Sequence, residues 1–297
     1  MKNIIIFPLI VATFFTSCTE LIEIKTDNSE PVIVINGILT DEHKYQEIHI
    51  SRSSPYFDDE PNAGISNALV TVESSNNEVY KFMECDTLPG IYYSQEMWAV
   101  KENFEYHLNV KVDFDNNGED KLYQASTKIL PPLYLDSAKI VPMDIMGHAN
   151  YALNVYGQDP PSEDYYLFKL SVNDSLVTSK LSQYIISDDV MINNGYIPGL
   201  TIEYFGDISE WEKDTEETRR RSLYAKEGDK IGIELSMISK GYFDFISQCV
   251  REMRGENPMF GGPASNITTN ISNGGVGYFS GYCITHSTTE VGVTETE

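Results

Sequence analysis

Residues 105–112 read Glu-Tyr-His-Leu-Asn-Val-Lys-Val, and every second residue of this stretch is apolar. This alternation has the period of a β-strand with one buried and one solvated face. The same pattern recurs upstream at residues 46–51 and 68–72, and a further apolar stretch lies at residues 32–39. The first part of the chain is therefore predicted to be a series of strands.

Turn signals separate these strands. They lie at Asn76-Asn77, Pro89-Gly90 and Asn117-Gly118, and Pro131-Pro132 ends the series. Short alternating strands with turn signals between them are typical of an all-β sandwich. We predict such a sandwich over residues 32–132.

The second half of the chain is also strand-rich but contains helical material. Candidate strands lie at residues 151–155, 165–172, 183–186, 201–205, 230–237 and 276–284. Apolar residues at helical spacing predict an amphipathic helix over residues 241–254. A charged segment at residues 210–224 is predicted to be an exposed helix or loop, and residues 285–297 to be frayed. These features predict a mainly β chain with a second β-rich domain at residues 133–297.

The start of the chain is a leader that ends next to Cys18. It has a basic start, a short apolar run, and the small residues Thr16 and Ser17 before the cysteine. An apolar run this short is typical of a signal peptide and is too short to span a bilayer. We predict a lipoprotein signal peptide at residues 1–17, a lipid on Cys18, and an acidic tether at residues 18–31. The alternative is an ordinary secretory signal with an incidental cysteine.

The chain is strongly acidic, with a formal charge of −24 at pH 7. A negative field repels phosphate backbones and anionic headgroups, which argues against nucleic-acid partners and against membrane binding through surface charge. We therefore expect membrane attachment through the lipid on Cys18.

Three further cysteines follow the leader, Cys85, Cys249 and Cys283, so at most one disulfide can form among them. Cys249 lies in the predicted amphipathic helix and is expected to pack there as a small apolar residue. A bridge between Cys249 and Cys283 stays open, because the Cα separation that decides it cannot be read from the sequence.

One segment resembles the first half of a calcium loop, Asp113-Phe-Asp115-Asn-Asn117-Gly118-Glu119. Hard cations bind alternating oxygen ligands of this kind. However, Gln124 stands where such a loop would carry a bidentate glutamate. Asn117-Gly118 is also typical of a two-residue hairpin turn, and we favour the turn.

The second group of possible metal ligands consists of His43, Glu47 and His49. No fourth ligand is evident in the sequence, and solvated side chains are the simpler interpretation. A Gly-x-Ser-x-Gly elbow for a nucleophilic serine is absent from the sequence. We therefore predict no catalytic residue, no metal site and no cofactor, and expect a protein that is not an enzyme.

Two features could form a binding surface. Trp211 lies in the charged segment and is expected to be exposed. Residues 257–279 are rich in Gly, Asn and Pro, and they could be either a binding surface or a packed crossover. Both interpretations stay open.

A series of short motifs follows the predicted lipidation site. They are Pro31-Val-Ile-Val-Ile-Asn-Gly37, Gly90-Ile-Tyr92, Gly228-Asp229-Lys-Ile231, Asn257-Pro258, Gly262-Pro263 and Gly274-Gly-Val-Gly277-Tyr-Phe279. In this order they resemble the domain-of-unknown-function 4249 (DUF4249) family of Bacteroidota lipoproteins. The resemblance implies an N-terminal immunoglobulin-like sandwich, a second β-rich domain, an outer-membrane location and an accessory role beside TonB-dependent receptors. It implies no catalytic residue.

The leading hypothesis is a lipid-anchored outer-membrane protein that binds a ligand or acts as an accessory of a TonB-dependent receptor in nutrient uptake. Periplasmic and cell-surface placement both stay open. One alternative is a cell-surface hydrolase acting on glycans or peptides, which requires a deep pocket with carboxyl groups of shifted pKa. The other is a structural or adhesive surface lipoprotein.

Overall fold

The structure, a computed structural model, describes residues 31–54, 62–115, 117–189, 194–209, 223–253 and 267–292. The predicted signal peptide, Cys18 and nearly all of the predicted tether lie outside these residues, as do Trp211 and most of the charged segment around it. The described residues from Pro31 onward belong to one compact unit. As predicted, this unit is mainly β.

The strands follow in chain order. They are β1 Ile33–Thr40, β2 Glu47–Arg52, β3 Leu69–Ser74, β4 Val79–Cys85, β5 Leu88–Ser94, β6 Glu105–Val112, β7 Lys121–Lys128, β8 Ser137–Ile145, β9 His148–Gln158, β10 Tyr165–Val172, β11 Ser175–Leu176, β12 Ile185–Asp188, β13 Tyr196–Asp207, β14 Leu223–Ala225, β15 Lys230–Met237, β16 Val276–Tyr282 and β17 Thr285–Glu290. A 3-10 turn at Leu181–Gln183 precedes β12, and an α-helix, α1, spans Lys240–Met253.

The first sheet has the strand order β16-β1-β2-β5-β4-β3-β6-β7. A many-stranded sheet of this kind is consistent with the predicted immunoglobulin-like sandwich. The predicted alternation is confirmed, since Ile48, Ile50 and Leu108 are buried in one core while their neighbours in sequence are exposed or only partly buried.

The last strand of this sheet comes from the C-terminal part of the chain. β16 runs parallel to β1, with Val34 opposite Val276 and Thr40 opposite Tyr282. Phe279 of β16 lies fully buried in the first core. The sheet pairings therefore cross the division predicted at residue 132, because a strand expected in the second domain extends the first sheet.

The remaining strands form two sheets, β11-β10-β15-β17 with β12 also paired to β10, and β14-β13-β9-β8. A second core of apolar side chains lies between them, including Phe168, Phe205 and Leu235. The opposite face of β10, with Tyr165 and Leu167, packs against α1 and β16. Because α1 buries one apolar stripe there, it links the second group of sheets to the first.

Two sequence expectations were wrong. Pro89 and Gly90 lie within β5, and the chain turns earlier, at residues 86–87. Gly90 has a φ of +81°, and an added Cβ there would lie 2.6 Å from the Cα of Gly64. The segment Thr285–Glu290 is a strand paired with β15 and is not frayed. Among the described residues, no helix is long and apolar enough to cross a membrane.

Candidate functional site

A cavity of about 500 Å³ lies where the outer face of β1 and β2 meets β10, β15 and β16. The strand alternation that buries Ile35 and Ile48 in the first core turns Asn36, Glu47 and His49 outward, toward this cavity. The cavity is therefore built on the solvated face of the first sheet.

The loop between β1 and β2 contributes Glu42, Lys44 and Tyr45 to the lining. Gln46 holds this loop in place and is 0% exposed. Its side-chain amide donates to the main-chain oxygens of Thr40, Glu42 and Trp98 at 3.1, 3.2 and 2.9 Å, and its oxygen accepts the Thr40 N–H at 3.0 Å. A buried residue thus fixes the conformation of an exposed loop that carries cavity side chains.

The opposite wall carries a row of charged residues on neighbouring strands. Lys169 of β10 pairs in register with Glu234 of β15, and Glu234 pairs with His286 of β17. Lys169 and Glu234 line the cavity. The apolar Leu176 and Ile284 also line the cavity, so charged and apolar surface meet there.

Two tyrosines complete the cavity next to Lys169. The Lys169 ammonium donates to the hydroxyl of the buried Tyr282 at 3.2 Å, and it lies 4.8 Å from the ring centroid of Tyr184. A cation over an aromatic face is attracted by the ring quadrupole. Tyr45 lies across from them in the loop and is 53% exposed, which leaves its ring available to a ligand.

Two of the cavity carboxylates are held in the ionised form. The Lys44 ammonium donates to Glu42 at 2.7 Å and lowers the pKa of that carboxyl, with a smaller contribution from His286. A hydrogen bond from the His49 ring lowers the pKa of Glu47 in the same way. Because both groups are ionised near neutral pH, they can accept hydrogen bonds from a ligand but have no proton to donate.

The structure separates the predicted histidine group. His49 lies 3.4 Å from Glu47, and both side chains are half exposed in the cavity wall, whereas His43 is exposed in the preceding loop and does not line the cavity. The interpretation as solvated side chains agrees with this arrangement.

The possible calcium loop is an eight-residue connection between β6 and β7. The Asp113 carboxylate accepts the N–H groups of Asn117 and Gly118 at 3.0 and 2.9 Å, and Asp115 forms an ion pair with Lys121. The favoured two-residue turn was wrong, because eight residues separate β6 from β7; Gly118 has a φ of +85° within this connection. Asp113 therefore has partners within the loop, and Asp115 has one at the start of β7.

Cys85, Cys249 and Cys283 are all free thiols. Cys249 packs in the cluster around α1, as predicted, whereas Cys283 belongs to the core of the first sheet. The possible bridge between them does not form because the two side chains lie in different cores.

The described part of the 257–279 segment, from residue 267 onward, is a packed crossover. Asn270 donates to the main-chain oxygen of Phe279 at 2.7 Å and accepts its N–H at 2.9 Å. Ser272 and Gln124 of β7 exchange hydrogen bonds of 2.8 Å, and Ile271 is buried in the first core. These contacts hold the segment between β7 and β16.

A separate cluster of carboxylates is formed by Asp159, Asp164 and Asp189, all of which are buried. Burial and the nearby charges of Asp189 and Asp159 raise the pKa of Asp164, while a hydrogen bond from Ser162 opposes the increase. Among the residues that the structure describes, this is where acidic groups converge closely enough to hold a metal ion.

Sequence reasoning missed both the cavity and this cluster. A usable signal for the cavity was a charged residue within an otherwise apolar strand, as at Lys169 in β10. The signal for the cluster was weaker, since Asp159 and Asp164 flank a short Pro-containing connection and Asp189 follows β12. Their proximity depends on the pairing of β10 with β12, which no local pattern predicts.

The comparisons with known proteins bear on the family alone. The family model described as "Domain of unknown function (DUF4249)" matches residues 19–288, which confirms the resemblance inferred from the motifs. No curated protein matches the sequence.

Proposed function

The chain belongs to the DUF4249 family, and we propose that it is a lipid-anchored outer-membrane protein that binds a hydroxyl-rich ligand, such as a short glycan, and works with a TonB-dependent receptor in uptake. The observation that carries the proposal is the cavity between the outer face of β1 and β2 and the β10–β15 wall. Its volume of about 500 Å³ falls in the range of ordinary small-ligand sites.

The chemistry of the cavity supports a ligand with many hydroxyl groups. The carboxylates of Glu42 and Glu47 accept hydrogen bonds, and the Lys169 ammonium donates them. The rings of Tyr45 and Tyr184 offer apolar faces on which a sugar ring can pack. Acceptors, a donor and flat apolar surface within one cavity match the alternating polar and apolar surface of a glycan.

The cavity supports binding better than hydrolysis. A glycosidase needs one carboxyl group that stays protonated near neutral pH and acts as a general acid. In the cavity the pKa of Glu42 and that of Glu47 are both lowered, which is the opposite direction. Neither Glu42 nor Glu47 is suited to act as the general acid, which favours binding over hydrolysis as the proposed function.

Ligand binding is tested by isothermal titration with a panel of defined oligosaccharides. A glycan that binds the wild type should bind Lys169→Met about 10- to 100-fold more weakly, because a charge-assisted hydrogen bond is lost. Lys128→Met, which alters an exposed lysine of β7, is the matched control and should bind like the wild type. Equal affinities for all three proteins would refute the assignment of the cavity as the ligand site.

The lipid anchor is tested by membrane fractionation of the Cys18→Ala variant. This variant should leave the membrane fraction, because it lacks the thiol that carries the lipid. Cys85→Ala is the matched control and should remain there. Retention of Cys18→Ala in the outer-membrane fraction would favour an incidental cysteine and contradict the proposed anchor.

A further inference from the structure

Three aspartates from separate segments meet in the second group of sheets. Asp159 follows β9, Asp164 precedes β10 and Asp189 follows β12. The register of β10 with β12 pairs Tyr165 with Asp188, which brings the next residues, Asp164 and Asp189, side by side. One carboxylate oxygen of each aspartate lies within 4.8 Å of the others.

All three side chains are withdrawn from solvent, with 1%, 5% and 3% of Asp159, Asp164 and Asp189 exposed. Like charges this close and this poorly solvated repel one another strongly. Such an arrangement is stable when the carboxylates surround a cation or when protons neutralise them.

Hydrogen bonds orient two of the three carboxylates. The Tyr166 hydroxyl donates to one oxygen of Asp159, and the Asn194 N–H donates to the other at 3.0 Å. The Ser162 hydroxyl donates to Asp164 at 2.8 Å. A carboxylate oxygen that accepts one hydrogen bond keeps a lone pair for a metal ion, and such bonds are how proteins orient metal ligands.

Asp189 differs from the other two. Both of its carboxylate oxygens are buried and neither has a hydrogen-bond partner. A buried carboxylate without a partner is costly to the fold, and here one of its oxygens faces two further carboxylates. This feature is independent of the clustering itself, and it indicates that the site is completed by a positively charged ligand.

We propose that Asp159, Asp164 and Asp189 bind a calcium ion. The ligand atoms are all oxygens, which favours a hard cation over zinc or copper. Calcium binds oxygens at about 2.3–2.6 Å, so two of its ligands lie at most about 5 Å apart. The three aspartate oxygens, all within 4.8 Å of one another, meet this limit. Calcium also accepts irregular, buried sites, whereas magnesium retains most of its water ligands.

The ion would join the ends of β9, β10 and β12. It would hold the β9–β10 connection against β12 and remove the repulsion among the three carboxylates, so the expected role is to stabilise the second group of sheets. Because the site forms only in the folded chain, calcium should raise the stability of the protein by mass action.

The test uses the full chain, first stripped with EGTA, in thermal unfolding experiments with added CaCl₂. A saturating concentration should raise the wild-type midpoint by about 5 °C or more, and MgCl₂ should have a smaller effect. Metal analysis after dialysis should find calcium on the wild type but not on Asp189→Asn.

The variants separate this site from other carboxylates. Asp189→Asn should lose the calcium response and should be more stable than the wild type in EGTA, since one of the repelling charges is gone. Asp188→Asn removes the exposed carboxylate next in sequence, and Asp115→Asn alters the β6–β7 loop; both should respond to calcium like the wild type. A wild-type midpoint that calcium does not change, or an equal calcium response in Asp189→Asn, would overturn the proposal.

Discussion

The Gln46→Leu substitution tests how the cavity loop is held. Leucine has a similar volume but cannot replace the four hydrogen bonds that the Gln46 side chain forms. The Thr40 N–H would be buried without a partner, at a cost of about 1–3 kcal/mol. The oxygens of Thr40 and Trp98 keep other partners, the N–H groups of Val100 and Lys44, so their losses are smaller.

The sum is a loss of about 3 kcal/mol in the free energy of unfolding, after the added apolar burial of leucine offsets part of it. Urea unfolding followed by tryptophan fluorescence measures this loss, since Trp98 lies in the first core. Gln124→Leu is the matched control. The Gln124 side chain is exposed and donates a hydrogen bond to Asn109 at 2.7 Å, so its replacement should change the free energy of unfolding by less than about 0.5 kcal/mol. If Gln46→Leu unfolded at the wild-type urea concentration, the assignment of Gln46 as the support of the loop would be refuted.

Three further predictions concern β16, the thiols and the pH dependence of stability. Gly277→Ala should lower the free energy of unfolding, measured by urea titration, by more than about 2 kcal/mol. The reason is that Gly277 has a φ of +98° and an added Cβ would lie 2.3 Å from a main-chain oxygen of β1. Unchanged stability would contradict the pairing of β16 with β1. A thiol reagent at pH 8 should label Cys85 in the native protein but reach Cys249 and Cys283 only after unfolding. Burial raises the pKa of Cys249 to about 11 and that of Cys283 to about 12. Labelling of the native protein that persists in Cys85→Ser would contradict this prediction. The pKa of Glu42 is lowered in the folded state, so its contribution to stability is present above pH 4.5 and is lost as the pH falls below that value. The difference in unfolding midpoint between the wild type and Glu42→Gln should therefore shrink toward pH 3. A difference that stays constant with pH would argue against the pairing of Glu42 with Lys44.

Local periodicity was sufficient to predict many elements. The strands predicted at residues 165–172 and 230–237 have the bounds of β10 and β15, and the helix predicted at residues 241–254 differs from α1 by one residue at each end. In α1 and for most of β15 one face is buried, and burial of one face produces a readable period. β10 is buried on both faces and was visible as a short apolar run instead.

Long-range pairing could not be predicted in the same way. β16 was expected as a strand, but its parallel pairing with β1 depends on contacts between residues more than 240 positions apart, such as Tyr278 N–H to the Asn36 side chain and Ile284 N–H to the Asp41 side chain. Sequence alternation specifies which face of a strand is buried but not which strand lies beside it.

The candidate sites depend on the same long-range pairings. Lys169 and Glu234 come together only because β10 pairs with β15, and Asp164 meets Asp189 only because β10 pairs with β12. None of these residues stands in a motif with a known spacing, so their chemistry becomes visible only when the sheets are assembled.

The proposed function combines a lipid anchor on Cys18 with an outer-membrane receptor as partner. It is tested most directly by affinity purification of the tagged full chain from detergent-solubilised outer membranes, with the protein content of the eluate measured by mass spectrometry. We expect a TonB-dependent receptor to be recovered in near-equal amount with the wild type and to be lost with Cys18→Ala. Recovery of the wild-type protein alone would contradict the proposed partnership.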